Sequence, residues 1–438
     1  MMFKWSILCL FCCSFSVFAE DTIEQSDLLF NDWSEEWTVE SLSDFESVSN
    51  DSTESILDFI SVKLKGDLAY SDTLTLARAN VRILSDATPI KNSYLKVDVQ
   101  FNYFNAKDDL LLNERDDEFT IKINELWVQY SKDACNLKLG RQGLFWGSVE
   151  GTRALDVVTP LDLSEPLLTD YSLIWRSQDI FNASCFYNDY DFELFVIPNP
   201  LLDQYTVRQT SVFEGLEKTF SAEWGGRITK HTQGLDLSLH YGRFYGNTPK
   251  AIIDLNTLTP IGMYVDQFEL FGAGIVYAIE RLLLEFELSH QKELSFQTLD
   301  SISNYGYLLN KQLKERLEFA IGAEYTTAKN HQLTSGIWFY EYESNPLLSS
   351  YVDTYVLNAT WSKQFLNDDL GLSALVFWQK DPELYYVTFM ANFLVSDYWS
   401  TSTAITYQHS KFDELNSGFA AQTEIKDWAI QFSVIYQF

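Results

Sequence analysis

The sequence predicts an all-β fold: a closed, antiparallel up-and-down barrel of about 18 strands (16 as the alternative) that crosses a membrane. Three observations predict it. Hydropathy alternates with period two over most of the chain after Ser61. The connections between alternating segments fall into a short set and a long set that interleave. The final segment places Trp428, Ile430, Phe432, Val434 and Tyr436 on one face and ends on an aromatic, Phe438.

The N-terminus reads as a cleavable leader, residues 1–19. Lys4 supplies a positive region, Trp5 to Phe18 is almost wholly apolar, and Val17-Phe18-Ala19 offers a peptidase site before Glu20. The apolar run is shorter than the roughly 20 residues a spanning helix needs; an uncleaved anchor is the alternative. Residues 20–60 form an acidic segment expected on the periplasmic side, with 13 acidic side chains, no Lys or Arg, and Leu28, Phe30, Trp33, Trp37 and Phe45 among them. It reads as a solvating leader, or as an arm that docks on a basic partner or in the barrel mouth. Residues 61–438 are the barrel.

Composition narrows the class. Beyond the leader no apolar run is long enough for a spanning helix, and mean hydropathy is −0.13, which excludes a helical inner-membrane protein. Yet aromatics make up 16% of the chain, and a barrel reconciles the two because half of each strand faces lipid. The formal net charge of −31 gives no expectation of nucleic acid as a partner. Removal of the leader leaves Cys135 and Cys185, at the start of one predicted strand and near the end of the next. In an oxidising compartment they could pair as a disulfide; two separate buried thiols are the plainer reading.

Strands are predicted at 61–70, 73–84, 93–105, 119–130, 135–142, 183–188, 191–197, 221–230, 235–245, 267–279, 282–290, 316–326, 331–342, 352–365, 370–379, 384–395, 399–409 and 427–438. Tyr94 to Phe104 is the clearest: Leu95, Val97, Val99, Phe101 and Tyr103 alternate with Lys96, Asp98, Gln100 and Asn102. Short connections (85–92, 131–134, 189–190, 231–234, 280–281, 327–330, 366–369, 396–398) alternate with mostly long ones (106–118, 143–182, 198–220, 246–266, 291–315, 343–351, 410–426). A barrel with one periplasmic and one outer rim sorts its loops this way, and a Greek-key sandwich does not. Trp127, Trp224, Tyr245, Trp338, Tyr340, Trp361, Trp378, Trp399 and Trp428 fall mostly near strand ends, where interfacial girdles belong.

Alternation turns Lys63, Lys65, Arg78, Arg82, Lys96 and Asp98 toward the lumen on the early strands. Glu223 and Arg227 follow in the middle, then Glu285, Glu287, Glu318 and Glu324 with Arg316 among them. Basic and acidic walls on separate arcs would set a field that orients a dipolar solute; the plainer reading has these charges paired or hydrated. The loop 143–182 has about 40 residues and no alternation, a length usually tied to function. It carries Arg153, Asp156, Asp162, Glu165, Asp170 and Arg176 among Leu155, Val157, Val158, Leu161, Leu163, Leu167 and Leu168. Folded inward it would narrow the bore; an external lid is the alternative.

Gly140-Arg141-Gln142, then Trp146-Gly147, Asp156 and Thr159-Pro160-Leu161-Asp162, resembles a pattern of porin-like outer-membrane barrels of Gram-negative bacteria. It is similar to alginate-export-like families and their uncharacterised relatives, over the stretch Gly140 to Asp162. The resemblance implies passage of a solute or polymer, no cofactor, and a lipid and lipopolysaccharide surround. It also implies assembly by machinery that reads Phe438, with room for an inner-membrane exporter or a periplasmic partner. One departure stands out. Alternation puts Arg141 on the lipid face with Leu137 and Leu139, so a bulge at Gly140 or an earlier strand end is expected.

Rival functions are weaker. An outer-membrane enzyme is one, and no catalysis is expected: of the five His, at positions 231, 240, 290, 331 and 409, none belongs to a nucleophile or metal-ligand motif. A plugged structural or adhesive barrel is the other rival, with the acidic segment as plug. The expectation is a passive outer-membrane channel or export conduit for small polar or organic solutes or a polymer.

Overall fold

A computed structural model describes residues 60–71, 74–108, 119–162, 174–204, 221–247, 250–254, 259–265, 267–302, 306–345, 350–380, 383–411 and 427–438. The expected leader, the acidic segment up to residue 59, and Glu165 and Asp170 lie outside them.

Twenty strands are described: β1 (Ile60–Ser71), β2 (Leu74–Ala87), β3 (Ser93–Asp108), β4 (Phe119–Lys132), β5 (Cys135–Gln142), β6 (Gln178–Tyr187), β7 (Tyr190–Ile197), β8 (Glu223–Thr232), β9 (Leu235–Tyr245), β10 (Lys250–Asp254), β11 (Thr259–Tyr264), β12 (Gln267–Ile279), β13 (Leu282–Ile302), β14 (Gly306–Thr326), β15 (Gln332–Asn345), β16 (Ser350–Phe365), β17 (Leu370–Gln379), β18 (Glu383–Ser396), β19 (Trp399–Lys411) and β20 (Asp427–Gln437). Eighteen form one antiparallel sheet, and β10 and β11 pair only with each other. The sheet closes where β1 meets β20, from Lys63↔Gln437 to Ser71↔Ala429. Closure leaves no free edge, as a spanning sheet requires.

The alternation in the sequence is the reason for the fold. Leu68, Leu194, Leu239, Leu317, Phe389 and Ile430 face outward and are exposed, while their neighbours Asp67, Glu193, His240, Glu318, Thr388 and Gln431 face inward and are buried. The short turns need left-handed backbone, and Asn92, Asp133, Asn188 and Asn330 supply it with positive φ. Phe438 ties the chain's end to its first strand through N–H···O bonds with Val62 in both directions.

Several expectations are corrected. β6 begins at Gln178, so the long loop is 143–177. The expected loop 291–315 is instead the paired ends of β13 and β14 beyond a bulge at Gln291–Leu294, and the loop 246–266 contains the β10–β11 hairpin. Ile60, placed with the acidic segment, is the first residue of β1. Trp127 belongs to the inner face and is not a girdle residue: it is buried and donates its indole N–H to Glu125 at 3.0 Å. Trp338 and Tyr340 share strand parity with Gly336, which packs under the loop, and also point inward. The disulfide candidate, by contrast, is met: Cys135 and Cys185 are directly opposite in β5 and β6 and are bonded.

Candidate transport lumen

Residues 143–162 of the loop turn into the barrel. Their apolar side chains do not point to solvent: Leu144, Trp146, Leu155 and Val158 pack on the inward Ile180, Phe195, Ile197, Phe244, Phe268 and Leu270. The Trp146 ring meets Phe195, His240 and Phe244 edge-on at 5.3, 5.1 and 5.5 Å. Burial of this face holds the segment against β6, β7, β9 and β12.

Hydrogen bonds then aim the rest. Asp156 Oδ1 accepts the N–H groups of Trp146 and Gly147, both at 2.7 Å. Glu287, on β13, accepts the N–H groups of Ser148 and, at 2.8 Å, Val149. Asn358 on β16 donates to the Glu150 carbonyl at 2.8 Å. Thr159 Oγ1 closes the loop's neck, accepting from Leu144 N–H at 2.8 Å and donating to its carbonyl at 2.7 Å. The loop thus crosses from its roots on β5 and β6 to the far wall at β13–β16. Burial raises the Asp156 carboxyl above its ordinary range, against the two N–H donors and the Arg153 and Arg227 charges.

The remaining motif residues serve the same geometry. Gln142 donates to the Ile180 carbonyl at 3.1 Å, and the Pro160 carbonyl accepts the Arg176 N–H at 2.8 Å. Asp162 pairs with Lys122 of β4 at 2.9 Å. Arg153 bonds the Asp156 and Thr159 carbonyls and approaches Asp203 at 3.6 Å. Arg141 corrects the expectation of a bulge or strand end. The β4–β5 and β5–β6 registers run unbroken through Gly140 to Arg141. Arg141 therefore does face outward, beside Asp179 at 3.6 Å near the outer rim.

The wall charges pair. Asp67 holds Arg78 at 2.7 Å and Lys65 at 3.2 Å. Asp98 holds Arg82 at 2.6 Å, and Asp86 meets Lys96 at 3.2 Å. Lys63 lies on the same inward face, opposite Arg82. Arg227 contacts Glu193 at 3.3 Å, and Glu223 accepts the Tyr245 N–H at 2.6 Å. On β13 and β14, Glu285, Glu287, Glu318 and Glu324 face inward with Arg316, which touches Glu318 at 2.6 Å and donates to Gln291 at 2.8 Å. Sequence reasoning missed the partners Asp67, Glu193, Asp203, Lys122 and Asn358, because each meets its mate across strands or loops.

No family model matches the chain, and no curated protein does. Solved structures do. OpdK of Pseudomonas aeruginosa, solved with vanillate, matches at TM-score 0.50 and 9% identity over 86% of this chain and 98% of its own. The fold is that of a Gram-negative outer-membrane porin. OccAB1 of Acinetobacter baumannii matches at TM-score 0.48 and 12% identity, over 87% of this chain and 95% of its own. Wzi of Escherichia coli, described as a carbohydrate-binding barrel in group 1 capsule assembly, matches at 0.47 and 10%, over 86% and 84%. At such identities the likeness concerns architecture alone. The alginate-export resemblance of Gly140–Asp162 receives no support from either sequence comparison.

Proposed function

We propose that this barrel is an outer-membrane channel passing small polar or organic solutes by passive diffusion, with the 143–177 loop as its constriction. The observation that carries the reading is the loop's seat: an apolar flank buried on β6, β7, β9 and β12 and a tip bonded to Glu287 and Asn358 inside the lumen. A lid outside the barrel would not reach inward residues of β13 and β16. The finer reading, an export conduit for a polymer, rests on the Gly140–Asp162 resemblance.

The test is ion conductance of the purified, folded barrel in a planar bilayer. Stable conductance steps whose size changes when Arg153, Asp156 or Asp162 is substituted support a loop-gated channel. Absence of conductance from folded protein overturns it.

A further inference from the structure

We propose that the lumen wall from β15 to β20 is a recognition track for neutral sugars. The proposal rests on the channel reading and names what that channel accepts.

The first observation is the absence of charge. Strand parity and register put Trp338 and Tyr340 of β15, and the even residues of β16, on the inner face, followed by the odd residues of β17, the even residues of β18 and β19, and the odd residues of β20 from Ala429. None of these inward residues is charged among the described residues. In a chain with a net charge of −31, the described inward side chains of these six neighbouring strands are neutral, with Asp427, in register with Gln408 at the start of β20, as the acidic residue at an inward position. The other arcs differ: β1–β4, β7–β8 and β13–β14 carry the inward acids and bases of the wall. Composition alone would not give this partition.

The second observation is what fills the neutral wall. Trp338 and Tyr340 stack with ring centroids 4.0 Å apart and planes 21° from parallel. Trp338 is oriented by its N–H bond to Glu318 at 3.0 Å. Lower on the wall, Phe377 of β17 and Tyr386 of β18 lie directly opposite in register. Four aromatic side chains therefore step from β15 to β18, beginning where the loop tip ends at Asn358, which is itself in register with Phe377. Between and beside them stand Thr360, Ser373, Gln379, Thr388, Thr406 and Gln408. Ser373 Oγ is buried with no hydrogen-bond partner.

Hydroxyls and amides both donate and accept, which matches a solute bearing many hydroxyls. Aromatic faces accept the C–H side of a pyranose ring and bury large area. A carboxylate solute would find no cation along the aromatic steps from β15 to β18 and would face Glu285, Glu287 and Glu318 on the adjoining β13–β14. On the β1 side Lys65 and Arg78 are held by Asp67, and Lys63 stands at the end of the wall opposite Gln437. Along the aromatic steps the carboxylate's desolvation would go uncompensated. The chemistry that fits is therefore an uncharged saccharide, not an organic acid.

The experiment is current block in a planar bilayer with three probes: maltotriose, a galacturonate trimer of equal length, and benzoate. Maltotriose is expected to block in a saturable manner and the two anions weakly or not at all. Trp338→Ala and Phe377→Ala are each expected to raise the half-blocking concentration by about 3- to 10-fold. Folding is checked by heat-modifiable gel migration, and Trp338→Phe and Phe377→Leu replace any variant that does not fold. Conductance without maltotriose block, or stronger block by either anion, overturns the sugar track and leaves the channel reading standing. If the folded barrel does not conduct, the channel reading fails by itself. Calorimetric titration with maltotriose then decides the track: binding weakened by Phe377→Ala keeps it, and no binding overturns it.

Discussion

Asp156 and Glu287 divide four consecutive backbone N–H groups between them: Trp146 and Gly147 go to Asp156, Ser148 and Val149 to Glu287. One carboxylate belongs to the loop and the other to the barrel wall, so the first shapes the turn and the second fixes it in space. Hydrogen bonds to a charged acceptor contribute about 1.5–3 kcal/mol each. Glu287→Ala is thus expected to weaken docking by on the order of 3 kcal/mol without touching the apolar flank. Single-channel recording should show larger, noisier conductance. A quiet channel of parental size would contradict the anchoring role.

Asp156 makes that docking depend on pH. Its carboxyl is held above the ordinary 3.8, chiefly by burial, with Arg153 and Arg227 pulling the other way. The docked loop therefore binds a proton more tightly than the undocked one. Its stabilisation by protonation is full below 3.8 and is lost as pH rises through the raised value. Current noise should grow over that window. Asp156→Asn keeps an acceptor at Oδ1 for both N–H groups and removes the titration, so its noise should stay flat with pH. Persistence of the slope in the Asn variant would assign it to another group, with Glu287 next to be examined.

The barrel was legible in the sequence because period-two patterning needs only local information. The short turns and the Trp428–Phe438 strand belong to that class. The errors have physical causes. Gln178 to Asn182 mixes polar and apolar residues on both faces, since its inward side packs on Val158 and Leu144 of the loop rather than on water. The ends of β13 and β14 pair past the bulge at Gln291–Leu294, where the apolar pattern that marks a lipid-facing strand stops. The loop itself was visible as a long unpatterned stretch. Its seat was not, because Glu287 and Asn358 lie 138 and 208 positions from the residues they bind. For the same reason the basic arc could be listed but not seen to be paired.

Asp67 holds the closing seam. It binds Arg78 on β2 at 2.7 Å, and Ser433 at 2.5 Å and Gln431 at 3.4 Å on β20. Its removal leaves Arg78 buried without this partner, and breaking a buried pair from one side costs about 3–5 kcal/mol. Asp67→Ala should lower the temperature at which the folded gel band converts to the unfolded one, with conductance per channel kept. An unchanged transition would mean that the β1–β20 backbone ladder alone secures closure.

Gly140 is required by the backbone. Its φ is +130°, and an added Cβ would overlap the Leu126 carbonyl oxygen and lie 2.8 Å from Trp127 Cα. Neither obstacle is a side chain that can move aside. Gly140→Ala should cost about 3 kcal/mol or more and displace the loop's root at Gln142. A folded yield equal to the parent's, measured by gel migration after refolding into detergent, would refute this.

The Cys135–Cys185 disulfide joins β5 and β6 at the end opposite the loop they carry, over a sequence separation of 50. It fixes the register of the two strands from Cys135↔Cys185 up to Gln142↔Gln178, where the loop departs. A cross-link of this span contributes about 2–4 kcal/mol, chiefly by restricting the unfolded chain. The double substitution Cys135→Ser with Cys185→Ser should therefore lower the unfolding temperature while leaving conductance intact, since the lumen contacts of Trp146 and Glu287 do not involve the sulfurs. Reductant should lower the parent's transition to that of the variant and leave the variant's unchanged. A parent insensitive to reductant, with thiols shown to be free afterwards, would show that the strand ladder needs no staple.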